Sequence, residues 1–214
     1  MFSVKTQEGS RRTVSSGDNS VVPSQALHWI WSYLQDVKNP HVLDCGTVSS
    51  ATVGVLMRRG AKVYVADLVA PLQRGAPVYW RQAGKQRIFC LDEFLKQIPD
   101  VPPASLRLIC CWHLLDLVPR EQLPDLVAFL LSLLEPGGIF FCFLREPNLA
   151  SGMEGRWWFE NPTTLGGERE GVGPFPYAPL SNREVEKLTA GCSLKTFLTR
   201  SHRREVVVLK AEGV

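Results

Sequence analysis

HVLDCGTVSSATVGVLMRRGAKVYVADL, residues 41 to 68, is the stretch that decides the fold. A short apolar run, His41 to Leu43, ends in Asp44-Cys45-Gly46. A helical pattern follows and stops at Gly60. A second apolar run, Ala61 to Ala66, ends in Asp67. The order is strand, tight turn, helix, strand, with a carboxylate at the end of each strand. Open parallel sheets bind ligands outside the carboxyl ends of their strands. An acid at the end of the second strand can accept two hydrogen bonds from ribose hydroxyls. The stretch therefore reads as a nucleoside-binding half-domain. Its turn holds a single glycine, followed by Thr47-Val48-Ser49-Ser50, where a glycine-rich loop is expected.

Upstream, Ser24 is placed to cap a helix reaching Lys38. Ala26, Leu27, Ile30, Trp31, Leu34 and Val37 follow the spacing of one buried helical face, and Asn39-Pro40 stops it. Residues 1–22 are rich in Ser, Thr and Arg without periodicity and read as a loose arm. Residues 23–214 then form one α/β domain. Downstream, Pro71 to Lys85 suits a short helix or an ordered loop. Arg87 to Leu91 reads as a third strand, and Asp92-Glu93 opens a helix to Ile98. Leu106 to Leu114 is apolar after Arg107, as a strand covered on both faces requires. Pro119 to Leu134 is a helix, ended by Glu135-Pro136-Gly137-Gly138, and Ile139 to Leu144 is the fifth strand. Ser181 to Thr189 is a helix with a capping box from Ser181 and Glu184. Ser193 to Thr199 and Glu205 to Lys210 are joined too closely for a crossover, so they pair antiparallel. Between these parts, residues 145–180 change character, with several Gly and Pro and the run Trp157-Trp158-Phe159. A long stretch without periodicity in a compact domain is commonly a lid or binding loop.

The balance of 24 basic to 21 acidic residues, +3 overall, argues against a dedicated nucleic-acid binder. The six cysteines form no CxxC pair and have no histidine at zinc-ligand spacing, so no metal is expected. Four of them lie in apolar runs, where cysteine behaves as a small hydrophobe, which points to reduced core thiols and a cytoplasmic protein. Met1 to Ser20 lacks the apolar core of a signal peptide, and no apolar run is long enough to span a membrane.

From about residue 24 to 212 the chain resembles the class I S-adenosylmethionine-dependent methyltransferases. The resemblance is carried by VLDCG (42–46), VYVADL (63–68), LRLICCWHLLDLV (106–118) and LLEPGGIFFCFLR (133–145). The helix-plus-hairpin ending, residues 181–211, adds to it. It implies a Rossmann-like three-layer sandwich whose seven-stranded, mostly parallel sheet ends in a C-terminal antiparallel hairpin. It implies S-adenosylmethionine as cofactor, with Asp44 and Gly46 around its methionine part, Asp67 on the ribose and Asp92 on the adenine amino group. Cys111, Trp112 and His113 then lie where the pocket closes. His113 first and Asp116 second are the candidate bases for an acceptor that must lose a proton. Val48 and Ser50 stand where the family has further glycines, which let the backbone approach the ligand. A branched Val48 either narrows the pocket or forces the loop outward.

Each position also has a plainer reading. Asp44 and Asp92 can cap helices, Asp67 can be a turn acid, and Trp112 and His113 can be core aromatics at a strand end. Trp157, Trp158 and Phe159 either line a substrate pocket or plug the core. Two functions follow. One is methyl transfer to a small-molecule or protein acceptor. The other is an inactive methyltransferase-like module that binds a protein partner through the N-terminal arm or the 145–180 loop.

Overall fold

The computed structural model describes residues 20–145, 156–168, 175–199 and 203–212. In chain order the elements are β1 (Ser20–Pro23), α1 (Gln25–Tyr33), β2 (His41–Asp44), α2 (Ser50–Arg58), β3 (Lys62–Val65) and α3 (Val69–Gln73). There follow β4 (Trp80–Ala83), β5 (Gln86–Phe89), α4 (Leu91–Leu95), β6 (Leu106–Trp112), α5 (Leu114–Leu117), α6 (Leu123–Leu133) and β7 (Leu134–Arg145). The chain closes with β8 (Arg156–Asn161), β9 (Thr164–Glu168), α7 (Asn182–Leu188), β10 (Ser193–Leu198) and β11 (Arg203–Leu209).

The main sheet runs β10-β11-β7-β6-β2-β3. Strands β3, β2, β6 and β7 are parallel, and β11 enters antiparallel between β7 and β10. Alternation along β7 shows the layers. Phe140, Cys142 and Leu144 join the core under α6, while Ile139, Phe141 and Phe143 join the core under α1 and α2.

Among the described residues the sheet has six strands rather than the expected seven. The segment read as the third strand turns back at Gly84, whose φ is +61°, and pairs with β4. The reason is visible in its side chains. A strand inside a parallel sheet is apolar on both faces, but Gln86, Arg87 and Ile88 are exposed and only Phe89 is buried. Arg87 instead stacks over Trp80, its guanidinium carbon 4.9 Å from the ring centre.

A second departure is a separate three-stranded sheet, β1-β9-β8. Part of the stretch expected to be a loop is thus a hairpin, and Ser20–Pro23 pairs with its second strand. Gly166 and Gly167 make room for it. A Cβ at either position would come within 2.2 Å of the Trp158 ring or 2.6 Å of the Trp157 ring.

Ser24 caps α1, accepting a hydrogen bond from Leu27 N at 3.0 Å. Glu205 of β11 reinforces that cap, accepting from Ser24 Oγ at 2.8 Å and Ala26 N at 2.9 Å. Its carboxylate is buried. Glu205→Ala is expected to lower stability by about 1.5–3 kcal/mol, the worth of hydrogen bonds to a charged group. Glu205→Gln, which keeps an acceptor, should lose less than half of that in urea denaturation. Equal losses in the two variants would show that the cap contributes nothing.

Candidate functional site

The site forms where β2, β3 and β6 end. Asp44 is the last residue of β2 and is buried. Its Oδ1 accepts from Gly46 N at 3.1 Å and from Trp112 Nε1 at 2.7 Å. Burial raises its pKa from 3.8 to about 6; the two hydrogen bonds pull downward and the charge of Asp67 pushes upward. Asp67, past the end of β3, accepts from Ala70 N at 3.4 Å and so tethers the first turn of α3.

The loop between β2 and α2 shows what its missing glycines mean. Ser49 caps α2 by accepting from Thr52 N, so the segment follows ordinary helix-start chemistry. Val48 has been forced outward, at 47% exposure, and its carbonyl accepts from the Arg156 guanidinium.

Trp112 ends β6 with a φ of +50°. That left-handed conformation is rare for a bulky side chain. It swings the indole over Gly46, where an added Cβ would lie 2.3 Å from Trp112 Cδ1. The indole then rests against Phe159 at 5.0 Å and Phe141 at 6.0 Å between ring centres. Beside it, His113 is buried between Phe143 and Phe175, at 5.3 and 5.7 Å. Trp157 stacks flat on Phe143, at 5.5 Å and 16°. Beside them lies a cavity of about 20 Å³ bordered by Thr47, Gln73, Trp112, His113, Arg156 and Trp157.

The structure thus brings Asp44, Gly46, Trp112, His113 and Trp157 together, with Asp67 close enough to be felt by Asp44. Four other candidates lie elsewhere. Cys111 belongs to the core on the opposite face of the sheet, where burial pushes its thiol well above the usual range. Asp116 is buried against Arg145, whose backbone N donates to it at 3.2 Å and whose Nε lies 3.6 Å away. Burial raises its pKa to about 6 against the pull of Arg145. Asp92 is exposed at the start of α4, by a different depression shared with Arg81 and Asp125. Trp158 points to the other side of its strand and donates to Glu160 at 2.8 Å. Sequence reading missed Arg156 as part of the closure. The alternation of Trp157 and Phe159 inward with Trp158 outward was the available signal of a plug. Among the described residues, no group of His, Cys, Asp and Glu is placed to hold a metal ion, and no helix is long and apolar enough to cross a membrane.

No family model matches the chain, and no curated protein matches it. Solved structures do. The chain is similar to a Sulfolobus solfataricus protein assigned to the type 11 methyltransferases, with 12% identity, a TM-score of 0.50, and coverage of 90% of this chain and 95% of that one. It is also similar to magnesium protoporphyrin IX methyltransferase from Synechocystis, solved with bound S-adenosylmethionine: 17% identity, TM-score 0.49, 87% of this chain and 76% of that one. A third is 1,6-didemethyltoxoflavin-N1-methyltransferase from Burkholderia thailandensis, solved with S-adenosylhomocysteine: 16% identity, TM-score 0.48, 87% of this chain and 77% of that one. The fold is that of the class I S-adenosylmethionine-dependent methyltransferases. S-adenosylmethionine, or the product it becomes, is the molecule bound in the last two of these structures.

In this chain the ends of β2 and β6 are closed by side chains. The approach to Gly46 is taken by an indole, and Asp44 is already bonded to it.

Proposed function

We propose that this chain is a methyltransferase-fold protein that works as a binding module and not as a catalyst of methyl transfer. The observation that carries this reading is the Trp112 indole seated on Gly46 and bonded to Asp44. The acids that favoured catalysis all have structural explanations. Asp44 holds the indole, Asp67 tethers α3, Asp92 opens α4 at the surface and Asp116 pairs with Arg145. The hairpin β8-β9 lies across α2 and supplies Phe159 to the filled cleft. Its outward side, with the rest of 145–180 apart from the buried Arg145, Phe175 and Leu180, is the surface we assign to a protein partner, together with the N-terminal arm. Of these, 1–19, 146–155 and 169–174 lie outside the described residues.

A second reading keeps methyl transfer from S-adenosylmethionine to a small-molecule or protein acceptor. It is favoured by Asp44 and Asp67 standing at neighbouring strand ends, where the fold's ligands bind. In that reading Trp112 must leave Asp44 before anything enters.

Calorimetric titration with S-adenosylmethionine and its demethylated product separates the two. We expect no saturable heat from either compound, in the natural chain or in Asp67→Asn. Saturable binding, weakened in Asp67→Asn by about 1.5–3 kcal/mol as a charged hydrogen bond is lost, would establish the second reading instead.

A further inference from the structure

Trp112 carries two backbone irregularities at once. Its φ is +50°, and the pairing of β6 with β7 shifts register between Cys110 and Trp112. Among the described residues, Asn39 and Ala104 are the other non-glycine positions with positive φ. Both are short side chains, whereas a bulky residue in the left-handed region is a true outlier. Such conformations persist only where the surroundings hold them, and they gather at ligand clamps and switches. Bulges beside binding sites likewise re-aim a side chain.

What holds Trp112 is the cleft. Its Nε1 donates to Asp44 Oδ1 at 2.7 Å, and its ring covers Gly46. Asp44 is 1% exposed, and among the described residues its hydrogen bonds come from Gly46 N and this indole. A buried carboxylate and a left-handed tryptophan each destabilise a fold, and apolar side chains would fill the same space without either. Here each satisfies the other, as a ligand carrying a hydrogen-bond donor would satisfy Asp44.

We propose that Trp112 is an autoinhibitory latch. Its indole stands in for a nucleoside-type ligand, and the site on Asp44 and Gly46 opens when the indole swings away. A flat base or a ribose then takes the indole's place, and its amino or hydroxyl group donates to Asp44. This latch rests on the filled cleft described above, and it ties that cleft to the hairpin. Phe159 of β8 has the Trp112 ring 5.0 Å away, against 6.3 Å for both Trp31 and Phe141. Opening removes that support and loosens β8-β9, whose outward side we assign to a protein partner. Ligand entry and partner docking are thereby coupled, each changing the affinity for the other.

The test compares Trp112→Gly with the natural chain by calorimetric titration with S-adenosylhomocysteine. Glycine accepts a positive φ and removes the indole. We expect the variant to bind saturably, at least about tenfold more tightly than the natural chain, whose closed majority lowers its apparent affinity. A folded variant that binds no more tightly than the natural chain would overturn the latch. A second measurement needs no variant: deuterium exchange at the Trp112 indole N–H of the natural protein, followed by NMR. We expect it to be faster than exchange at the slowest backbone amides of β6 and β7, because a latch opens locally. Exchange as slow as at those amides means release only by global unfolding and would equally overturn the latch. That measurement decides the matter if Trp112→Gly does not fold. Saturable binding by the natural chain counts against the binding-module reading, while the latch stands or falls on the difference between variant and natural chain.

Discussion

Phe159→Ala should lower the stability of this protein by about 3–5 kcal/mol, as truncation of a large aromatic in a core does. The ring is fully buried and touches Trp31, Trp112 and Phe141, with centres 6.3, 5.0 and 6.3 Å away. Its backbone N donates to Thr52 Oγ1 at 3.0 Å, which fastens β8 to α2. Trp157→Ala belongs to the same class, because its ring is buried and stacked on Phe143. Trp158 sits between them on the outward side, half-buried, and its truncation should cost less than about 1.5 kcal/mol, within the ordinary range for single substitutions. The pattern of large, small, large along three consecutive aromatics is the signature of a plug. Urea denaturation of the three alanine variants measures it. A mobile cover over an open pocket would leave all three midpoints close to that of the natural protein, and that result would also remove the case for a filled cleft.

How much of this was legible in the sequence can be judged residue by residue. The β2-α2-β3 unit was readable because strand and helix periods alternate cleanly from His41 to Asp67, and both strands are parallel neighbours as expected. The closing hairpin was readable because its connection is too short for a crossover, and it is antiparallel. The third strand was misread because an apolar pair, Ile88-Phe89, stood in for a run buried on both faces. The β8-β9 hairpin escaped because Gly166 and Gly167 argue against a strand, and their reason, close approach of two indoles, comes from a partner strand. The site was half legible. That Asp44 and Gly46 stand together follows from their spacing. That Trp112 reaches across to both depends on a left-handed φ at a tryptophan, which no local pattern announces.

The filled cleft has a consequence for pH. Buried Asp44 and Asp116 are each raised from 3.8 to about 6, in both cases because desolvation outweighs their hydrogen bonds. In the unfolded chain these carboxyls give up their protons near pH 4. In the folded chain they hold them to about pH 6. The native state therefore binds protons more tightly, and its stability falls as pH rises through that interval. At 1.36 kcal/mol per pKa unit the shift is worth roughly 3 kcal/mol for each group. Glu205 is raised by burial too and adds in the same direction. Glu184 acts oppositely, since its bonds with Ser181 lower its pKa, but it lies at the surface, where solvent weakens the effect. The protein should accordingly resist urea better at pH 5 than at pH 7.5. Asp44→Asn isolates the main contributor. The amide keeps an oxygen for Trp112 Nε1 and Gly46 N and never ionises. At pH 7.5 this variant should be more stable than the natural protein, by up to about 3 kcal/mol, and its stability should change less between the two pH values. A less stable Asp44→Asn with an undiminished pH dependence would mean that the folded chain favours the ionised carboxylate and that burial does not raise the pKa of Asp44.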